Sequence, residues 1–185
     1  ANFFNQVQLE ATGADISATS LGNTVKGLNR DVTIRDIVST YIYPNTLKTL
    51  CVTRAQLKCA LERSAEYFAI DADGKLKVSE SFLTPIEQHF NYDYFSGIEA
   101  AFDIRRSVGD KVVSIKYKGE ELSGDKRLTL CINNYRASGA GGYDIYRQCQ
   151  TVRELPTEIA ELIIAYVDKH RNITVDKHKW LKLIY

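Results

Sequence analysis

Asn133-Asn134-Tyr135-Arg136-Ala137-Ser138-Gly139-Ala140-Gly141-Gly142-Tyr143 follows directly on Arg127-Leu128-Thr129-Leu130-Cys131-Ile132. The second stretch mixes β-formers with apolar positions and reads as a buried strand, so the glycine-rich stretch is a loop at that strand's end. Strand ends of this kind carry ligands. Closely spaced glycines let the backbone approach a flat or anionic group and turn its N–H groups toward it. Tyr135 and Tyr143 frame those glycines with aromatic rings, and stacking plus backbone hydrogen bonds suits a nucleobase. The competing reading is a flexible turn with two surface tyrosines.

The rest of the chain supports a single α+β domain with a mixed β-sheet packed with helices. Residues 3–11 carry apolar groups at helical spacing up to Gly13, and residues 15–20 read as a short strand. Gly22-Asn23-Thr24 and Gly27 form a loop. Thr33 with Asp36 starts a short helix to about Ser39 that delivers Tyr41 and Tyr43 to a turn. Residues 46–53 alternate as a strand. Thr53 and Gln56 form a capping box ahead of Leu57, Ala60, Leu61, Ser64 and Tyr67. Asp71-Ala72-Asp73-Gly74 lacks the remaining ligands of a calcium loop and is a tight turn. Residues 79–94 read as a loop pinned by Phe82, Phe90, Tyr92 and Tyr94, or as a lid. Residues 97–104, 111–117 and 127–132 form a run of strands, 143–148 a short helix, and 157–170 a helix capped by Thr157. The end, 179–185, closes a sheet edge with Trp180 over it.

Composition narrows the function. The chain has 185 residues, 44% hydrophobic and 25% charged, with a net charge of +1. That balance disfavours a duplex nucleic-acid binder and leaves a single nucleotide open. No apolar run reaches membrane-spanning length. Cys51, Cys59, Cys131 and Cys149 lack paired CxxC spacing, which argues against zinc, and two of them sit inside apolar patterns as small buried hydrophobes. His89, His170 and His178 stand apart from one another as structural histidines. There is no G-x-S-x-G and no H-E-x-x-H, so no complete active site is visible.

The glycine-rich stretch resembles the substrate loop of the 5'-nucleotidase C-terminal domain family, in the branch that handles 2',3'-cyclic nucleotides and 3'-nucleotides. Ala140 stands where that branch has a further glycine. Tyr41-Ile42-Tyr43-Pro44-Asn45-Thr46-Leu47 is similar to a second family segment, and weaker likenesses fall at Thr12-Gly13-Ala14-Asp15-Ile16-Ser17, at Asn91-Tyr92-Asp93 with Gly97, and at His178-Lys179-Trp180. The resemblance implies a base sandwiched between Tyr43 and Tyr135. Asn45, Arg136, Ala137, Ser138, Gly139, Ala140 and Gly141 join the substrate site, and Asn23, Asn91 and Asp93 are further candidates. Arg136 reaches a phosphate or folds back to brace the loop; the sequence leaves both open.

The resemblance also implies a metallophosphoesterase domain upstream, in cis, whose two divalent metal ions activate the attacking water. Residues 1–185 hold no such domain and no metal ligands or catalytic residues, so the chain reads as the substrate-binding domain alone, inactive without its partner. The family implies a periplasmic, cell-wall or extracellular location. The alternatives are a non-enzymatic module using the same aromatic groove for another ligand or a protein, and a free-standing cysteine–histidine hydrolase.

Overall fold

A computed structural model describes all 185 residues. Helix α1 (Asn2–Thr12) ends where Gly13 takes a left-handed conformation and donates its N–H to the Leu9 carbonyl. Strand β1 (Ile16–Ser20) follows, then a loop and α2 (Ile34–Thr40), whose start is fixed by reciprocal bonds between Thr33 and Asp36. Strand β2 (Leu47–Thr53) runs straight into α3 (Arg54–Ala65), and the Thr53/Gln56 capping box marks the switch. Both boxes are where the sequence puts them.

A hairpin of β3 (Phe68–Ile70) and β4 (Leu76–Val78) brackets the Asp71–Gly74 turn. Two 3-10 turns, Glu80–Phe82 and His89–Asn91, lead to β5 (Asp93–Ser96), β6 (Glu99–Asp103), β7 (Val112–Tyr117) and β8 (Glu120–Glu121). Strand β9 (Arg127–Asn133) passes into the single turn α4 (Asn134–Ala137). A 3-10 turn (Asp144–Gln148), β10 (Gln150–Leu155), α5 (Ile159–His170) and β11 (Leu181–Ile184) complete the chain.

The fold is α+β, as expected, but its strands form two main sheets. Five strands run in the order β10-β2-β9-β1-β5, and four in the order β11-β6-β7-β8. The three central strand runs therefore do not share one sheet: β6 and β7 pair with each other, whereas β9 inserts between β2 and β1. Both sheets are mixed, since β1 runs parallel to β9 and β11 parallel to β6. Strands β3, β4, β5, β8 and β10 are too short or too polar for alternation to disclose. Helix α5 starts after Thr157, with Glu158 at the cap position and no side-chain cap bond. Trp180 donates to Asp176 Oδ2 and packs at a tilt against His178, so it lies over the segment leading into β11.

The five-stranded sheet is buried on both faces. Leu50, Val52, Leu128, Leu130 and Ile132 pack with α3 and the four-stranded sheet, while Leu47 and Cys131 pack with α1, α2 and α5. This is why β9 reads as a near-continuous apolar run. Burial also explains Cys131, whose thiol is pushed up to about 12 chiefly by desolvation; it is a small core side chain.

Asp15, at the start of β1, links the two sheets. Its carboxylate accepts from Thr129 N (2.9 Å), Thr129 Oγ1 (2.7 Å) and Tyr117 Oη (2.7 Å). Burial alone would raise this carboxyl, but the bonds from Tyr117 and Thr129 outweigh it and hold the group below the ordinary carboxylate range. A carboxyl depressed in the folded state contributes stability above its unfolded pKa of about 3.9 and loses it as pH falls through the folded value. Asp15→Asn is therefore expected to lower the urea midpoint at pH 7 and to flatten the loss of stability below about pH 4. An acid limb unchanged from wild type would exclude this role.

Candidate functional site

The register of β2 and β9 builds the site. Leu47 lies opposite Asn133, so the residues just before β2 and just after β9 leave the sheet at the same rim. Asn134 locks that junction: its N–H donates to the Thr46 carbonyl (2.9 Å), and its side-chain oxygen accepts from Thr46 N (3.1 Å). Tyr43 and Tyr135 thereby line one cavity of about 290 Å³ together with Ser20, Asn45, Phe90 and Asn133. Both tyrosine rings are half-exposed, at 45% and 49%, in a protein whose other large aromatics are mostly covered. Gly22 lies beside the Tyr43 ring, where a Cβ would sit 3.6 Å from it. Tyr41 is buried near Asn45 and Asn133, and desolvation pushes its hydroxyl up to about 12.

Three aromatic and three small polar side chains around a concave space suit a flat heteroaromatic ligand with hydrogen-bonding edges. A larger groove of about 580 Å³ runs between α2 and α5, lined by Ile34, Ile37 and Ile164 among others. It offers neither aromatic faces nor a set of polar groups suited to such a ligand.

The glycine loop is shaped by arginines. A Cβ on Gly139 would meet Arg147 Nε at 2.5 Å, one on Gly141 would meet Arg136 Nη1 at 2.0 Å, and one on Gly142 would meet Arg63 Nε at 2.6 Å. The carbonyls of Ser138, Ala140 and Gly141 accept from Arg147, Arg136 and Arg63 respectively. Tyr143 is not a rim aromatic. It is 1% exposed, stacked on Tyr146, and its hydroxyl bonds Ser64 and receives the Asp93 N–H.

Arg136 is also inside, 2% exposed. Its Nε and Nη2 donate to Asp93 Oδ1 (3.1 and 2.9 Å), Nη2 donates to the Phe90 carbonyl (2.8 Å), and Nη1 donates to the Ala140 carbonyl (2.7 Å). Of the two roles the sequence left open, the structure holds the brace. Burial raises the Asp93 carboxyl, against the pull of the Arg136 charge. Asn91 is enclosed as well and donates to Gln88.

Tyr43, Asn45 and Tyr135 are thus brought together, while Arg136, Asp93 and Asn91 lie beneath them. Ala137, Ser138, Gly139, Ala140 and Gly141 do not line the cavity, and the Ser138 hydroxyl donates to the Tyr135 carbonyl. Asn23 is exposed and ties its loop to the Glu87 carbonyl. Sequence reasoning missed Ser20, Asn133 and the locking role of Asn134. Phe90 was visible only as one ring in an aromatic-rich run. No three His, Cys, Asp or Glu side chains converge to hold a metal ion, so the residues of this chain do not fit a two-metal centre. No helix is long and apolar enough to cross a membrane.

The sheet rim thus presents two half-exposed aromatic faces beside small polar groups. Residues 1–148 match the family model described as 5'-nucleotidase, C-terminal domain, and the chain belongs to that family. The resemblance seen in the sequence is borne out. A Staphylococcus aureus protein assigned as a 5'-nucleotidase, crystallised with alpha-ketoglutarate, superposes with a TM-score of 0.94 at 36% identity, over 100% of this chain and 36% of that one. Proteins described as 2',3'-cyclic-nucleotide 2'-phosphodiesterase/3'-nucleotidase are similar too. The Yersinia enterocolitica protein is 28% identical over 78% of this chain and 24% of its own length; the Haemophilus influenzae protein is 29% identical over 58% and 18%. The chain thus spans about a third or less of each of these relatives.

Gly141 and Gly74 separate conformational strain from crowding. Both have positive φ, 76° and 79°, but a Cβ on Gly74 meets nothing within 4 Å. Gly74→Ala is expected to cost about 1 kcal/mol, the ordinary penalty of that conformation. Gly141→Ala adds displacement of Arg136 and should cost clearly more in the same chemical denaturation experiment. Equal losses would mean that Arg136 yields freely.

Proposed function

We propose that this chain is the nucleoside-binding domain of a 2',3'-cyclic-nucleotide 2'-phosphodiesterase/3'-nucleotidase or a related 5'-nucleotidase, clamping the base between Tyr43 and Tyr135. The observation that carries this reading is the pair of half-exposed rings lining one cavity, delivered from opposite strands of a locked junction. Family membership and the nucleotide-hydrolase descriptions of the relatives support it.

Stacking on an aromatic face is worth about 1–3 kcal/mol per base and is indifferent to which base it is, so two faces hold many nucleotides with similar strength. Asn45 can both donate and accept at the edge, which preserves that tolerance, whereas the Asn133 oxygen already accepts from the Arg136 N–H at 2.6 Å. Binding energy gathered here, away from the reacting phosphate, orients the phosphate for attack. The attack itself belongs to a metallophosphoesterase domain in cis, with divalent metal ions; the greater length of the relatives supports a second domain. An exported location, periplasmic or at the cell surface, goes with this reading.

Replacing Tyr43 or Tyr135 by Ala should weaken adenosine binding by about 1–3 kcal/mol, with Phe nearly neutral at either position because the ring face carries the interaction. Calorimetry decides: wild-type affinity in Tyr43→Ala, or Phe as damaging as Ala at both sites, rules out the sandwich.

Residues 1–185 alone should leave 2',3'-cyclic AMP intact in the presence of manganese, because their side chains assemble no metal pair. Turnover that co-purifies with the protein and exceeds a buffer control would place the chemistry in this domain instead.

A further inference from the structure

We infer that Arg136 is a positioning residue of the base cavity, which sets Phe90 as a third aromatic wall against Tyr135 without touching the ligand. This rests on the nucleoside-binding reading above. The guanidinium ties the Phe90 segment to the turn that presents Tyr135. It donates to the Phe90 carbonyl at 2.8 Å and to the Ala140 carbonyl of the glycine loop at 2.7 Å, and its own backbone belongs to the Tyr135 turn.

Asp93 fixes the guanidinium through two bonds to one oxygen, and the Tyr143 ring covers it with a centroid 4.5 Å away. Both members of the ion pair are 2% exposed. The side chain's four hydrogen bonds all go to protein atoms. A phosphate could reach it only by breaking a buried pair, which is costly when one partner is left uncompensated. The fork geometry matters as much as the charge, because one planar group serves a carboxylate and two carbonyls at once.

The Phe90 turn is anchored next door by His89 Nδ1 to Tyr67 Oη at 2.7 Å and by Asn91 to Gln88, but the carbonyl of Phe90 itself is held by Arg136. Removing the fork should release this wall and tilt the Tyr135 turn. Removing only the Phe90 ring should leave the fork in place, because the carbonyl that it grips remains.

The test uses adenosine and 3'-AMP as probes, by calorimetry, well below the thermal midpoint of each variant. Arg136→Lys keeps the positive charge and loses the fork. It should weaken both probes by the same factor, roughly tenfold or more, as misplacement of a binding wall does. Phe90→Ala should weaken adenosine about fivefold or more, as loss of an aromatic contact does, with a thermal midpoint close to wild type. The double variant should lose less than the product of the two factors, since both act on one wall.

A loss confined to 3'-AMP would show Arg136 on the phosphate and overturn the inference; so would independent, multiplying losses, which a general loosening of the fold would give. If Arg136→Lys fails to fold by circular dichroism, Phe90→Ala decides alone, and wild-type affinity for adenosine in that variant overturns the wall. A wild-type domain that binds no adenosine removes the base-site reading and this inference with it, whereas failure of the variants alone leaves that reading standing.

Discussion

The antiparallel pairing of β2 with β9 is the constraint on which the rest of the molecule depends. It runs unbroken from Leu47 opposite Asn133 to Thr53 opposite Arg127. A slip of one residue would turn Leu128, Leu130 and Ile132 out of one core and drive Thr129 and Cys131 into it, so the packing forbids the slip. The rim inherits that certainty. Four residues before Leu47 stands Tyr43, two after Asn133 stands Tyr135, and Asn134 adds one backbone and one side-chain bond to Thr46 that stop the ends from fraying. The site's geometry is thereby a by-product of core register rather than of loop conformation alone.

The glycine loop shows a second level of the same economy. Its carbonyls accept from three arginines, and its missing side chains make room for those same arginines. Backbone oxygens are good partners for a guanidinium, and the enclosed Asp93 supplies the countercharge that burial of Arg136 demands. A glycine-rich sequence next to an arginine is easily taken for a cradle that offers N–H groups to an anion. Here the crowded side of the loop faces inward, and Tyr135 and Phe90 are what it leaves facing the cavity.

Much of this was legible without coordinates. The helix starts at Thr33 and Thr53 follow from short-range side-chain chemistry, and the β9 strand follows from its apolar run. The partition of strands between two sheets was not legible, because β6, β7 and β9 carry similar local patterns and only long-range pairing distinguishes them. The same limit hid Ser20, Asn133 and Asn134, polar residues whose significance comes from what lies opposite them. Arg136 illustrates the boundary well. Its charge suggested two roles, and only the position of Asp93, supplied by a distant strand start, separates them.

The chain sorts its tyrosines by what their environment permits. Tyr143 and Tyr146 are stacked in the interior and Tyr92 is packed against Tyr67, each serving as core volume. Tyr43 and Tyr135 instead leave about half their area in water, which forgoes the burial free energy that the others collect. On the proposed reading, a bound base recovers it by covering both rings at once, so the same surface that weakens the free domain slightly supplies the driving force for binding. On that same reading the ring faces supply the force without demanding a particular base, and selectivity is left to the small polar groups beside them.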